Sequence, residues 1–178
     1  MALQEIVLPV TEPETEWVRG RALQKVSPTR NHALLQLALA SALRSWAGAR
    51  GEVGTEWRFR VAPPGQPPRP LVPDVSYVAV ERLRGLTGDE LQVPRLSPDV
   101  AAEILSPGDR RPDVDDKIYT YVAGGSHLVI VVDPLRVAVE LHAPGEKTTL
   151  GLGDTIVHAA LPGFALSVSE LFATIAPP

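Results

Sequence analysis

Cysteine is absent from the 178 residues, so neither a disulfide framework nor a thiolate metal site is available. No apolar run approaches the roughly 20 residues that a membrane helix needs. The opening Met1-Ala2-Leu3-Gln4-Glu5 lacks the basic flank and small-residue cleavage site of a signal peptide. A soluble cytoplasmic protein is therefore the expectation. Net positive charge is lacking too: the formal charge is −4 and the isoelectric point lies near 5.6. That runs against the plainest kind of nucleic-acid binder, because phosphate contacts rely on clustered Lys and Arg that release counterions. Arg58 with Arg60, Arg82 with Arg84, and Arg110-Arg111 leave a local basic face open, beside the plainer reading of scattered surface charge.

Missing motifs narrow the chemistry further. His32, His127, His142 and His158 show neither His-x-x-x-His nor His-Glu-x-x-His spacing, which disfavours a zinc hydrolase. No glycine-rich phosphate loop is present, and Gly124-Gly125 reads as a helix stop. Without a Gly-x-Ser-x-Gly elbow a serine hydrolase has no support. No repeat or low-complexity tract occurs beyond the proline-rich turn from Pro63 to Pro70.

What is present suits an ordinary packed domain. At 44% hydrophobic and 21% charged the chain is close to globular composition, and its length is that of one domain. A single domain over residues 1–178 is expected, with an irregular segment over 1–20. Eighteen prolines and fourteen glycines divide the chain into short elements. Ser27-Pro28 reads as a helix start, and Leu35, Leu39, Ala42, Leu43 and Trp46 recur at helical spacing until Gly48 and Gly51. From Glu56 to Ala62, Trp57, Phe59 and Val61 alternate with Arg58 and Arg60, the period of a half-buried strand. Leu71 to Val80 and Asp99 to Leu105 read as buried strands, and Pro112 to Ala123 as a helix. His127 to Val132 and Val137 to His142 read as a strand hairpin, and Val168 to Thr174 as a last helix. That order implies an α/β or α+β sandwich around a mixed sheet. The first three strands form a meander, and the helix from Pro112 crosses to the next strand.

Two acids break the apolar pattern. Asp74 heads a Val-rich strand directly after Pro73, and Glu103 lies inside Val100-Ala101-Ala102-Glu103-Ile104-Leu105. A carboxylate in such a setting is costly to ionise unless it is paired or bound to a metal. Two carboxylates converging from neighbouring strands make a hard, oxygen-rich site suited to Mg²⁺ or Mn²⁺. Taken singly, an Asp after Pro also caps turns and a strand Glu also faces solvent on an edge. Lys117, on the helix after the Glu103 strand, has a side chain long enough to reach back across the sheet. From periodicity alone it pairs with Asp113 on the helix surface.

The runs Pro73-Asp74-Val75-Ser76-Tyr77-Val78 and Ala102-Glu103-Ile104-Leu105-Ser106-Pro107 carry a resemblance. So do Arg111, Asp113, Lys117, Tyr121, Gly125 and Asp133-Pro134, with Ser27-Pro28 and His32 upstream and Leu161-Pro162-Gly163-Phe164 near the end. In this order and spacing they resemble the Uma-two family of bacterial proteins, assigned to the restriction-endonuclease-like PD-(D/E)XK nuclease superfamily. The resemblance spans nearly the whole chain. It implies a mixed sheet flanked by helices, Asp74 and Glu103 as metal-binding acids, and the Ile104 carbonyl as a further ligand. The superfamily lysine stands two residues after the second acid, where this chain has Leu105. Lys117 matches the position on the following helix that takes its place, with Tyr121 beside it to support it or to pack. The family often has an acid after Gly20 where this chain has Arg21, and His127-Leu128-Val129-Ile130 replaces the usual apolar-aromatic run. Glu56 is a candidate third acidic ligand, or an edge-strand surface acid. His32 faces the site or is an ordinary helix-face histidine.

The expected activity is cleavage of nucleic acid, DNA above all, with Mg²⁺ or Mn²⁺ as cofactor and a homodimer as a possible assembly. The alternative is a nuclease fold that has lost catalysis and binds nucleic acid or regulates. The acidic charge balance and the displaced lysine favour the second; retention of all three charged groups favours the first.

Overall fold

One six-stranded mixed sheet organises the structure, a computed structural model that describes residues 3–177. Met1, Ala2 and Pro178, the ends of the expected 1–178 domain, lie outside the described residues. The chain opens with β1 (Thr15–Val18) and β2 (Arg21–Gln24), then α1 (Arg30–Ala47) and β3 (Gly51–Thr55). Next come β4 (Phe59–Val61), β5 (Arg69–Leu71), β6 (Val75–Ala79) and two short helices, α2 (Val80–Leu83) and α3 (Gly88–Gln92). Then follow β7 (Val100–Ile104), α4 (Arg111–Ala123), β8 (Leu128–Asp133), β9 (Ala138–Ala143) and β10 (Glu146–Leu150). The chain closes with β11 (Thr155–Ile156), β12 (Leu166–Ser167) and α5 (Val168–Ala173). Among these helices none is long and apolar enough to cross a membrane.

The strand order is β10-β9-β8-β7-β6-β3, and only β7 and β8 run parallel. That parallel pair is the one joined by α4, as the crossover requires. Leu128 to Val132 are all fully buried, because β8 is covered on both faces and so reads as a continuous apolar run. Leu35, Leu39 and Leu43 of α1 pack with Leu171 of α5 on one face, against Val75, Val100, Ala102 and Ile130. Val114, Ile118 and Tyr121 of α4 pack on the other, against Val78, Ala101, Val129 and Val131. The two-residue period of the strands therefore sends Glu103, two along from Ala101, toward α4.

Several expectations are corrected. The N-terminal stretch is not irregular to residue 20: β1 and β2 form a hairpin whose turn residues Arg19 and Gly20 have φ of 48° and 76°. Both central residues are left-handed, as a tight hairpin turn demands. Helix α1 starts at Arg30 rather than Pro28, because the Thr29 hydroxyl accepts the His32 N–H as the cap. The strand read from Glu56 to Ala62 shrinks to β4, which pairs only with β5 in a separate ribbon. Its place in the sheet is taken by β3, paired antiparallel with β6. Likewise the strand read from Leu71 to Val80 is two pieces, broken where Pro73 has no N–H to give to a ladder.

Gly51 shows why β3 was hidden. A Cβ on this residue would lie 2.3 Å from the Val78 carbonyl oxygen and 2.5 Å from the Tyr77 ring. The glycine that looks like a helix stop is thus a strand residue at a close approach. Gly51→Ala is expected to destabilise the protein by about 1–3 kcal/mol through this clash. Urea unfolding at equilibrium checks this; an unchanged midpoint would refute the close packing of β3 on β6.

Candidate active site

The β6/β7 ladder ends at a side chain. Val75 pairs with Ala102 in the register, and the next free donor, the Ile104 N–H, goes to the Asp74 carboxylate Oδ2 at 2.7 Å. Asp74 is thereby pinned at the mouth of the two central strands. Because Asp74, Ser76 and Val78 share one strand parity, the Asp74 side chain lies on the same face as Glu103. Both acids, only 2% and 6% exposed, line one pocket of about 1220 Å³ between the hairpin, α1 and α4.

Lysine ammonium groups hold the acids. Lys117 Nζ donates to Glu103 Oε2 at 2.5 Å and to Glu16 Oε2 at 2.9 Å. Lys25 Nζ donates to Asp74 Oδ1 at 2.6 Å, to Glu56 Oε2 at 2.7 Å and to the Val72 carbonyl at 3.0 Å. Tyr121, one turn beyond Lys117 on α4, donates its hydroxyl to Glu103 Oε1 at 3.1 Å. His32 Nε2 lies 3.1 Å from Asp74 Oδ2, and an ionised carboxylate there requires the proton on that nitrogen. Gln36, one turn along α1 from His32, donates to Glu56 Oε1 at 2.9 Å and to the Asp74 carbonyl at 2.8 Å.

The surroundings move the titrations in opposite directions. Burial opposes ionisation of Asp74, yet Lys25 and the His32 hydrogen bond hold its carboxyl well below the usual carboxylate range. Burial pushes Glu103 up to about 8; Lys117 pulls against this, and Asp74 and Glu16 add to it. Burial also works against the Lys117 charge, but Glu103 and Glu16 carry its ammonium above the ordinary lysine range. Lys25 is raised in the same manner, chiefly by Asp74 against the cost of burial. Lys117 faces two acids whereas Glu103 has two carboxylate neighbours, so Glu103 is the member that takes up a proton first. Burial raises the Tyr121 hydroxyl too, with Glu103 and Glu16 behind it, which keeps it a donor.

Asp74, Glu103 and Lys117, singled out in the sequence, are thus brought together. The expected Lys117–Asp113 surface pair is not formed: Asp113 instead accepts from Arg21 at 2.8 Å, and the hairpin is latched to α4. Glu56 is not on a strand; it follows β3 with φ of 52° and reaches the pocket edge half-exposed. His32 faces the site rather than solvent.

Two site residues escaped the sequence reading. Glu16, 3% exposed on β1, accepts the Val72 N–H at 2.7 Å as well as Lys117. Lys25 follows β2, and its backbone N–H donates to the Glu14 carbonyl at 2.8 Å. A compositional signal pointed to Lys25: the chain has only three lysines against fourteen arginines, and two of the three meet in this pocket.

A family model, Uma2, described as "Putative restriction endonuclease", matches residues 5–169. The chain belongs to the Uma2 family. A crystal structure described as that of a "putative nuclease belonging to DUF820 from Anabaena variabilis" shares the fold, with a TM-score of 0.84. That chain is 23% identical, and the match covers 95% of each chain. A cryo-electron microscopy structure described as a DrdV–DNA complex aligns with a TM-score of 0.42 at 23% identity. It covers 81% of this chain and 12% of that one. No curated protein matches the chain in sequence.

Divalent metals are general cofactors of restriction-endonuclease-like nucleases. Here Asp74, Glu103 and Glu56 offer the hard oxygen donors that such an ion takes. Among the described residues no three or more of His, Asp and Glu are grouped as a metal cage. Lys25, with three oxygens within 3.0 Å of its Nζ, shows that the spot beside Asp74 accommodates a cation. The Uma2 residues therefore fit such an ion in donor type, with ammonium groups bridging the acids.

Two outcomes follow from this charge cluster. Glu16→Ala leaves the Val72 N–H unpaired and Lys117 with one partner, and is expected to cost about 3–5 kcal/mol in urea unfolding. A loss within 1 kcal/mol (roughly a surface ion pair's worth) would show that Glu16 is not structural. The second concerns pH. Glu103 ionises near 4.5 when unfolded and at about 8 when folded, so its contribution is full below the lower value and is lost as pH rises through the upper. Glu103→Gln is expected to flatten this component of the fall in unfolding free energy between about pH 5 and about pH 8. Equal pH slopes for both proteins would refute the raised Glu103.

Proposed function

We propose that this Uma2 protein is a divalent-metal-dependent endonuclease that hydrolyses phosphodiester bonds, with DNA as its substrate. One observation carries the reading: Asp74 just before β6 and Glu103 on the adjacent strand β7, both buried and facing the same way, wall an open pocket that also receives Lys117. Family membership supports the reaction class.

Asp74 and Glu103 would hold the ion, with Glu56 as a third oxygen donor. When bound, a divalent ion supplies a Lewis acid that polarises a phosphoryl oxygen and lowers the pKa of an attacking water. The protein's own groups do the rest. The Lys117 ammonium, fixed in mid-helix, stabilises negative charge developing on the phosphoryl oxygens. Tyr121 restrains Glu103 Oε1, and His32 with the Ile104 N–H restrains Asp74 Oδ2, so neither carboxylate rotates away. Lys117 thus does from α4 what a lysine at the Leu105 position would do from the strand.

Purified protein with Mg²⁺ or Mn²⁺ is expected to cut DNA. Asp74→Ala and Glu103→Ala are expected to abolish cutting, and Lys117→Ala to slow it by about 10²-fold or more. Cutting that survives in both acid variants would sink the site assignment. The ion pairing of both acids by lysine favours a second reading, a nuclease fold without catalysis. Failure of the folded wild-type protein to bind either ion in calorimetry would establish that one instead.

A further inference from the structure

Lys25 sits where a cation would sit. Its Nζ is held by Asp74 Oδ1, Glu56 Oε2 and the Val72 carbonyl at 2.6, 2.7 and 3.0 Å, an all-oxygen cradle. Its side chain is 14% exposed, and the cradle opens on the pocket that Glu103 and Lys117 also line. Four acids, Glu16, Glu56, Asp74 and Glu103, surround the two ammonium groups. Lys117 projects from the middle of α4 and bridges Glu103 to Glu16 across the packed interior. Lys25 differs, because its backbone is tied down by the Glu14 carbonyl while its flexible stem lies along a pocket large enough to receive it. The ammonium can leave the cradle with the backbone unmoved.

We propose that Lys25 is a tethered cation that occupies the Asp74–Glu56 oxygens in the metal-free protein and competes with the divalent ion for them. The inference rests on the metal-binding part of the proposed function. One Asp74 oxygen cannot hold an ammonium and a divalent ion at contact distance, since two positive charges a few ångströms apart repel strongly in a buried site. Loading the site therefore requires the ammonium to move out, and the concentration of ion needed rises accordingly. The same contact balances Asp74 when no ion is bound. Lys25 in this role is a gate on metal occupancy, acting through Asp74, and touches no substrate.

Metal binding itself is the readout. Lys25→Met keeps the length of the stem and removes the charge. By calorimetry it is expected to bind Mn²⁺ about tenfold or more tightly than the wild type. Its melting temperature is expected to fall without metal and to rise more steeply than the wild type's as Mn²⁺ is added. Asp74→Asn is measured beside it. If Asp74→Asn loses the binding that the wild type shows while Lys25→Met binds no tighter, the competition is overturned and the metal site stands. If neither the wild type nor Lys25→Met binds, both fail. Should Lys25→Met not fold, the wild type decides through ¹⁵N-lysine NMR, where only three ammonium signals exist. Saturating Mg²⁺ is expected to move the Lys25 signal to that of a solvent-exposed ammonium while Lys147, already half-exposed, stays in place. A Lys25 signal unchanged at saturation overturns the proposal.

Discussion

The ammonium of Lys117 is the point on which three separate elements depend. It comes from α4, and it satisfies Glu103 on the central strand β7 and Glu16 on the N-terminal hairpin. Neither acid has access to enough water to be solvated, so each needs this cation. Without it, burial would keep Glu103 protonated to still higher pH. Glu16 would hold only the Val72 N–H. The hairpin, lacking a large core of its own, is secured by this bridge and by the Arg21–Asp113 pair one turn earlier on α4. Such a network stabilises less than an apolar core of the same volume would. Its use lies in fixing where the charges point.

The pocket exists because the sheet stops there. Pro73 gives no N–H, so β6 cannot extend toward β5, and Asp74 takes over the last β7 donor at Ile104. A side chain thus replaces a ladder hydrogen bond at the place where the two strands part. Carboxylate and strand end become one feature, which positions Asp74 as firmly as backbone pairing would. Glu103 needs no such device, since β7 is paired on both sides and its parity alone turns the side chain toward α4.

This division explains what could be read from the residues. Helices and strands with a clean period, such as Pro112 to Ala123 and His127 to Val132, were found within a residue or two. The acids were visible because a charge inside an apolar strand has no cheap explanation. The β3 strand was not, because Gly51 and Gly54 carry no alternation and their role depends on Tyr77 across the ladder. The hairpin escaped for a different reason: four-residue strands are too short for period two to rise above noise, and Arg19-Gly20 is not a strong turn signal. Glu16 went with it. Its burial is a property of packing on β5 and α4, and nothing in Thr15-Glu16-Trp17-Val18 marks it as an interior acid.

Buried carboxylates crowded around one pocket are costly to keep ionised. Four carboxylates facing one pocket repel each other, and the folded state bears that repulsion unless cations are supplied. This chain supplies two from its own lysines, of which it has only three. The two differ in what they are tied to. Lys117 bridges elements that hold the fold together, so its removal would cost structure as well as charge. Lys25 holds Asp74, Glu56 and the Val72 carbonyl beside the pocket and reaches neither Glu103 nor Glu16 with a hydrogen bond. Charge balance and packing are thus joined at Lys117, whereas Lys25 balances charge along the wall of the pocket. One ammonium is fixed between packed elements, and the other reaches its acids on a flexible stem from the end of the hairpin.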